Sequence, residues 1–325
     1  MEFSKDLLRI DADKTADELA AQIKRQIHQD LKRGGAVVGI SGGIDSSVVA
    51  ALCAKALGPD RVLGVIMPEK ESASESRRLA EELAAQLGIT HLVNNIAPVL
   101  EGYGCYKMRN EAIRRVFPDF QDNWTVKITI GSKLLEREGF NYFNLAVEAP
   151  DGQTMTKRMP PAEYLQVVAA SNLKQRTRMS QLYYHAERLN YAVAGTGNKD
   201  EHELGFFVKY GDGGADLKPI AHLFKLQVFQ LAEALPVPKE IVKRIPTTDT
   251  YSAEVTQTEF FFGIDFDLLD PIWYGMENKF APAAIAKGLG LTVDQVERVI
   301  KDIQQKKRST NYLRMEPLEI SPAKK

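Results

Sequence analysis

The sequence predicts an α/β fold: a doubly wound parallel sheet with helices on both faces, a β-rich insertion and a helical C-terminal part. Three observations support this class. Short apolar runs alternate with helical stretches up to about residue 95, strand-like stretches with turn residues follow at about 98–160, and helical stretches dominate the remainder. Strand–helix alternation favours parallel strands whose connecting helices cover both faces of the sheet.

The N-terminal part supplies three strands and their helices. Residues 15–32 carry apolar side chains at four-residue intervals, which predicts an amphipathic helix with one buried stripe. The run AVVGI at 36–40 is rich in β-branched residues and predicts a buried strand. The helix after the next turn ends at Gly58, a residue type common at helix ends. The remaining predicted elements of this part are the strand 61–67, the helix 74–88 and the strand 90–95.

The alternation is interrupted between about Pro98 and Pro161. Two stretches, 125–131 and 140–159, have the composition of strands, and Pro150–Gly152 supplies turn residues within the second. We therefore expect one domain, residues 1–325, that carries an inserted segment at about 98–160. The other elements expected are a short helix near 107–116, a helix of nearly 30 residues from Pro161, a strand at 191–196, and helices at 223–235, 266–275 and 293–307.

Composition excludes several classes of protein. The chain has 42 Lys plus Arg and 43 Asp plus Glu, a net charge of −1, so no global attraction to nucleic acid or to an anionic membrane is expected. Two cysteines are too few for a disulfide framework or a thiolate metal cluster. The sequence contains neither a signal peptide pattern nor an apolar run of about 18 residues. We expect a cytoplasmic protein without membrane spans.

The most informative stretch is SGGIDS, the turn after the first strand. We call residues 39–46, which are this stretch and the two residues before it, the Ser41 turn. Glycines let backbone N–H groups approach an anion, and two serine hydroxyls lie at a helix N-terminus, so the pattern predicts a phosphate site. The lysine of the kinase-type loop is absent, which favours holding pyrophosphate as a leaving group. Asp45 would repel bare phosphates and therefore suggests a bridging Mg²⁺. The predicted ATP-binding residues of the turn are Gly39, Ile40, Ser41, Gly42, Gly43, Ile44, Asp45 and Ser46.

Two other interpretations of this turn exist. Gly39 to Gly43 formally matches G-x-S-x-G, the nucleophile elbow of α/β hydrolases. The position argues against an elbow, because no earlier strand and loop precede it to supply the second oxyanion donor. The second interpretation is a capped glycine turn in which Asp45 only favours the helix dipole.

S-G-G-x-D-S after a first strand resembles the signature of the ATP pyrophosphatase group. Four blocks within 172–250 resemble consecutive blocks of the NAD synthetases in order and spacing: NLKQRTRM, VAGTGNKDEHELGFFVKYGDGGADLKPI, LFKLQVFQLAEAL and IPTTDTY. The resemblance covers roughly 15–95 and 160–310, and the inserted segment is longer than in compact members. It implies adenylation of the nicotinic acid carboxylate of deamido-NAD by Mg-ATP, followed by attack of ammonia.

The resemblance also implies residue roles. Asp45 and Glu201 would hold Mg²⁺, and Lys225 would bind the phosphates of ATP, in place of the missing loop lysine. Asp212 would lie near the ammonia site and accept a proton. Thr196 and Thr247 would contact ATP. The residues that match deamido-NAD-binding positions are Arg176, Lys209 and Asp216.

Simpler interpretations remain for several of these residues. Arg176 could belong to a solvated helix face, Lys209 and Asp216 could form a surface pair, and Lys225 could be a snorkelling lysine. At the C-terminus, Lys306 and Lys307 stand where compact members carry a His-Lys pair, and we assign them to deamido-NAD binding.

The resemblance further implies a homodimer whose interface shapes the deamido-NAD site. The chain shows neither a cysteine next to the initiator Met nor an added domain of about 200 residues for a glutaminase, so ammonia is expected as the donor, free or from a separate glutaminase subunit. The alternatives are another amidotransferase or ligase of the ATP pyrophosphatase group, acting on a different acid, or a non-catalytic nucleotide-binding module.

Overall fold

The computed structural model describes residues 2–131, 134–136, 142–248 and 250–320. Its central feature is a four-stranded parallel sheet in the order β3-β2-β1-β7. Val38 in β1 lies opposite Gly64 in β2 and Ala194 in β7, so β1 is paired on both sides. The strands of this sheet are β1 (Ala36–Gly39), β2 (Val62–Ile66), β3 (Thr90–Val93) and β7 (Ala192–Ala194).

Helices cover both faces of the parallel sheet, which confirms the predicted fold class. Because successive strand residues point to opposite faces, Val38 packs in one apolar cluster and its neighbour Val37 in another. The Val38 face is covered by α1 (Ala12–Arg25), α2 (Ile44–Leu57), α3 (Ser74–Leu87) and α8 (Lys225–Ala234). The Val37 face is covered by α4 (Ala97–Gly102) and α6 (Pro161–Leu189).

The inserted segment contains the predicted strands, arranged as a three-stranded antiparallel sheet in the order β4-β5-β6. The turn between β5 and β6 uses Gly152 at φ +86°, a conformation that favours glycine. One face of this sheet packs on α5 and on Val167 of α6. Part of the predicted strand at 140–159 lies outside the described residues. The elements of the segment are α5 (Cys105–Val116), β4 (Thr125–Ile130), β5 (Phe143–Glu148) and β6 (Thr154–Arg158).

The C-terminal part is helical, as expected, and has a core of its own around Trp273, Phe262 and Ile303. Leu134 connects the inserted segment to this part, since its N–H donates to the carbonyl of Gly263. No described helix combines the length and the apolar character that a membrane span requires. The helices after β7, apart from α8, are α7 (Lys199–Leu204), α9 (Lys239–Lys243), α10 (Phe266–Glu277), α11 (Pro282–Leu289) and α12 (Val293–Ser309).

Candidate active site

A cavity of about 790 Å³ opens at the carboxyl ends of the parallel strands. The chain segments that leave β1, β2 and β7 all line it, through Ser41, Met67 and Gly195. Strand order reverses here, because the chain moves from β1 outward to β2 and β3 and returns to the other side of β1 with β7. Ligands of open α/β sheets bind at such a reversal point.

The Ser41 turn forms one end of the cavity and is held by its own hydroxyls. Ser46 Oγ donates to the carbonyl of Gly43 at 3.0 Å and accepts from the N–H of Ser41 at 3.2 Å. Gly42 has φ +77°, and a Cβ there would lie 2.3 Å from the carbonyl oxygen of Ser76. The turn therefore requires glycine at this position for both conformation and space. Helix α2 begins directly after Gly43, at Ile44, so its N-terminus faces the cavity.

Asp45 and Lys225 meet at the base of the cavity although 180 residues separate them. Lys225 Nζ, which is fully buried, bonds to Asp45 Oδ2 at 2.5 Å. Burial lowers the pKa of Lys225, but the carboxylates of Asp45, Glu201 and Asp200 outweigh it, and the net shift is upward. Lys225 is therefore held as a cation, and it is not the snorkelling surface lysine that was the simpler interpretation.

Asn198 connects Asp45 to Glu201. Its Nδ2 donates to Asp45 Oδ1 at 2.8 Å, while its Oδ1 accepts from the N–H of Glu201 at 3.0 Å and caps α7. Gln257 Nε2 donates to Glu201 Oε1 at 3.2 Å. Burial, and next the charge of Asp45, raises the pKa of Glu201 to about 8.

Asp45 and Glu201 fit a magnesium ion. Magnesium ions in enzymes are commonly bound by oxygen atoms of one or two carboxylates, and substrate phosphates complete the coordination. A divalent cation would offset both causes of the raised pKa of Glu201, its burial and the charge of Asp45. Within the described part of the chain no group of three or more His, Cys, Asp or Glu side chains is arranged as a metal site. A fully protein-made cage is therefore not built from these residues.

Two fully buried aspartates behind Lys225 fix the start of α8. Asp200 accepts from the N–H of Lys225 at 2.9 Å, and Asp270 accepts from the N–H of Leu226 at 2.8 Å. Burial raises the pKa of Asp200 to about 7. Asp200, Asp270 and Asn198 were not among the residues predicted from the sequence. The spacing N-x-x-E at 198–201, typical of a capping box, could have indicated Asn198.

Arg176 and Lys209, two of the residues predicted for the second substrate, line the cavity together with Asp212. Arg176 Nε donates to the carbonyl of Lys209 at 3.4 Å, and Lys209 Nζ donates to the carbonyls of Tyr312 and Met315 at 3.0 and 2.9 Å. Asp212 accepts from the N–H of Val208 at 2.8 Å. Although Asp212 is exposed toward the cleft, the surrounding protein desolvates its carboxyl and raises its pKa above the ordinary range.

The structure thus brings most predicted site residues to one cavity. Besides Asp212, Lys225 and the residues of the Ser41 turn other than Gly42, the lining includes Thr196, Glu201, Thr247, Arg176 and Lys209.

Three predicted residues lie elsewhere. Asp216 accepts from the N–H of Val193 at 2.8 Å and from the Tyr183 hydroxyl at 3.1 Å. Lys306 bonds to the carbonyls of Phe261 and Phe262, and Lys307 forms an ion pair with Glu203.

The fold and the cavity define an α/β protein with a glycine-rich turn at a helix N-terminus, in contact with a lysine far away in the chain, as expected of the ATP pyrophosphatase group. Comparison with known sequences narrows this class. The NAD synthase family profile matches residues 15–119 and 117–312. An NH(3)-dependent NAD(+) synthetase of Mesorhizobium japonicum is 48% identical over 312 residues, covering 96% of this chain and 98% of the relative. Its namesake in Thermotoga maritima is 36% identical over 262 residues, covering 81% and 86%. The chain belongs to the NAD synthase family.

Solved structures show the same fold. An NH3-dependent NAD synthetase from Campylobacter jejuni gives a TM-score of 0.62 at 20% identity and covers 96% of this chain and 100% of its own. An NMN synthetase from Francisella tularensis gives 0.62 at 22% identity, covering 97% and 100%.

Proposed function

We propose that the chain catalyses the ATP-dependent amidation of deamido-NAD to NAD, with ammonia as nitrogen donor and AMP and pyrophosphate as products. The observation that carries this proposal is the contact of Lys225 with Asp45 at the Ser41 turn, with Glu201 beside them. Two findings support this proposal. The chain belongs to the NAD synthase family, and a relative of nearly the same length is named NH(3)-dependent NAD(+) synthetase.

The ATP half of the reaction uses the Ser41 turn and Lys225. The turn and the N-terminus of α2 bind the phosphates, and Thr196 and Thr247 contact the nucleotide from the cavity wall. Asp45 and Glu201 hold Mg²⁺, which when bound neutralises phosphate charge. Lys225 stabilises the charge that develops on pyrophosphate as the bond to the α-phosphorus breaks.

The acceptor half uses Arg176, Lys209 and Asp212. A carboxylate oxygen of deamido-NAD attacks the α-phosphorus of ATP, and pyrophosphate leaves. The ammonia nitrogen then attacks the acyl carbon, and AMP leaves with the former carboxylate oxygen. Asp212 accepts the proton that ammonium releases before the attack; its raised pKa brings it closer to neutral pH. Arg176 and Lys209 bind the acidic groups of deamido-NAD. To do so, Lys209 gives up its hydrogen bonds to the carbonyls of Tyr312 and Met315.

A homodimer would complete the acceptor site. Helix α6 exposes Leu165, Ala169, Arg176, Ser180 and Tyr184 along one stripe, with Leu165 64% and Tyr184 60% exposed. Two large apolar side chains exposed on one stripe of a single helix favour packing against a second copy. Because Arg176 lies in the stripe and also lines the cavity, the interface would border the deamido-NAD site. Asp216, Lys306 and Lys307 stay predicted deamido-NAD residues in this assembly.

The dimer is tested by sedimentation. We expect the wild-type protein to sediment as a dimer and a Leu165→Glu, Tyr184→Glu variant as a monomer with a raised KM for deamido-NAD. A wild-type monomer with full activity would contradict the assembly.

The function is tested by supplying Mg-ATP, ammonium chloride and deamido-NAD and measuring NAD, AMP and pyrophosphate. We expect the three products in equal amounts. AMP that accumulates with a different acid, without NAD, would instead support another ligase of the ATP pyrophosphatase group. ATP binding without pyrophosphate release would support a nucleotide-binding module.

The nitrogen source and the cell compartment complete the proposal. We expect glutamine to replace ammonium only when a separate glutaminase is added. The free, buried cysteines Cys53 and Cys105 agree with the proposed cytoplasmic setting.

A further inference from the structure

A second buried charge cluster lies beside the cavity and takes no part in the chemistry described above. Its centre is Lys174 of α6, whose side chain is 1% exposed. Lys174 Nζ donates to Glu69 Oε1 at 2.9 Å, to Glu71 Oε2 at 2.7 Å and to the carbonyl of Thr250 at 2.9 Å. All three donor sites of this ammonium group are therefore used by protein partners.

Helix α5 of the inserted segment completes this cluster. Arg109 Nη1 donates to Glu71 Oε1 at 2.6 Å, and the Tyr106 hydroxyl donates to Glu69 Oε2 at 2.7 Å. The charges balance, because Lys174 and Arg109 face Glu69 and Glu71. Burial raises the pKa of Glu71, but the two cations outweigh it and hold the pKa below its usual range.

The partners of Lys174 lie on two separate walls of the ATP cavity. Glu69 and Glu71 belong to the segment after β2, which lines the cavity with Met67, Pro68 and Ser72. Thr250 belongs to the segment after α9, which lines it with Thr247 and Thr248. One ammonium group thus holds both segments in fixed positions relative to α6.

Stability alone does not account for such a cluster. Removing charges from water costs several kcal/mol per ion, and apolar replacements of equal volume are often as stable. A network with all its members satisfied does, however, specify one arrangement of the segments that supply them. Binding of a nucleotide between two walls depends on their separation, so this arrangement has a functional consequence.

We propose that Lys174, Arg109 and Tyr106 are positioning residues for ATP, and that the inserted segment, through α5, is part of the framework of the ATP site. This inference rests on the proposed adenylation at the Ser41 turn. None of the three residues is required to touch the reacting atoms. Their loss is expected to weaken the use of ATP while the use of ammonia stays unchanged.

The sharpest test compares Tyr106→Phe with Tyr103→Phe, two single-hydroxyl deletions in the inserted segment. Tyr103, the residue directly after α4, is 59% exposed, so its variant controls for the chemical change. We expect Tyr106→Phe to raise KM for ATP about threefold to tenfold, with KM for ammonia unchanged, and Tyr103→Phe to match wild type. Because Phe keeps the ring, Tyr106→Phe is expected to fold.

Lys174→Met gives the larger effect. We expect kcat/KM for ATP to fall about 10²-fold and the melting temperature to fall as well. The double variant Lys174→Met, Glu69→Gln restores the charge balance, so it should recover the melting temperature but not the KM for ATP, because the bond to Thr250 is still absent.

Unchanged KM for ATP in Tyr106→Phe, or recovery of both properties in the double variant, would overturn the inference and leave a purely structural cluster. Failure of the proposed function gives a different result, since the wild-type protein itself would then form no AMP and no NAD.

Discussion

The two lysine-centred clusters beside the cavity differ in their charge balance. Around Lys225 the described structure places four carboxyl groups, those of Asp45, Asp200, Glu201 and Asp270. Around Lys174 it places two carboxylates and a second cation, Arg109. Burial, and next the charge of Asp45, raises the pKa of Glu201 to about 8, whereas the two cations outweigh the burial of Glu71 and lower its pKa.

This difference in charge balance indicates that the two clusters have different roles, one in the reaction and one in holding the cavity walls in place. An acid-rich cluster at a phosphate site has capacity left for a cation that arrives with the substrate. A balanced cluster with satisfied hydrogen bonds has no capacity for a further cation, and it stabilises one arrangement of the cavity walls. We therefore expect changes in the first cluster to affect turnover, and changes in the second to affect stability and ATP affinity.

The largest effect is expected for Asp45→Asn. The variant keeps the size of the side chain but removes the carboxylate that would hold Mg²⁺, so we expect kcat to fall about 10³-fold. Lys225 retains nearby carboxylates, so the melting temperature should fall less than in the next variant. Pyrophosphate release and calorimetry give both values, with the surface variant Asp17→Asn as control. Near-wild-type kcat would contradict the assignment of Asp45.

Glu71→Gln should show the reverse pattern. Its carboxylate is 10% exposed and faces two cations, so its removal leaves buried charge unbalanced and should cost about 3–5 kcal/mol of unfolding free energy. At saturating ATP, kcat should stay within a fewfold of wild type. If kcat fell as far as in Asp45→Asn, the two clusters would not be functionally distinct.

The pH dependence of magnesium binding sharpens the comparison. Because the pKa of Glu201 is raised from 4.5 to about 8 in the metal-free fold, its contribution to stability is fully present below pH 4.5 and is lost as the pH rises through 8. Mg²⁺ binds only the deprotonated carboxylate of Glu201. The apparent affinity of the protein for Mg²⁺ should therefore fall about tenfold for each pH unit below about 8.

Thermal melts check this dependence. Mg²⁺ should raise the melting temperature more at about pH 9 than at about pH 7, and Glu201→Gln should remove the difference. An equal magnesium effect at both values in the wild type would show that Glu201 is not a ligand.

The smallest effect is expected for Arg115→Gln. Arg115 also joins α5 to α6, through Glu163 at 3.0 Å, but its side chain is 47% exposed and it does not line the cavity. We expect less than about 1 kcal/mol of lost stability and unchanged KM for ATP. A raised KM for ATP in Arg115→Gln would mean that any contact between α5 and α6 influences ATP binding. Lys174 would then have no specific role in positioning ATP.

The sequence allowed the local features to be predicted and left the long-range ones open. The parallel sheet follows from strand–helix alternation, and the Ser41 turn is contiguous, so both were predicted from residues near each other in the chain. The meeting of Asp45 with Lys225 spans 180 residues and was indicated only by the family resemblance.

The balanced cluster was not predicted at all. Charges in a long helix usually lie on a solvated face, and this expectation holds for Arg176, which is exposed. It fails for Lys174, two residues earlier, because the partners that make its burial possible come from two other segments of the chain. Periodicity along a helix carries no information about such partners.

The step on which the proposed function depends is the attack of a carboxylate oxygen of deamido-NAD on the α-phosphorus of ATP at the Ser41 turn. Deamido-NAD labelled with ¹⁸O in its nicotinate carboxylate, converted with Mg-ATP and ammonium, tests this directly by mass spectrometry of the products. We expect one carboxylate-derived oxygen in the phosphate of AMP for each NAD formed. Label in inorganic phosphate with ADP as co-product, or unlabelled AMP, would contradict it.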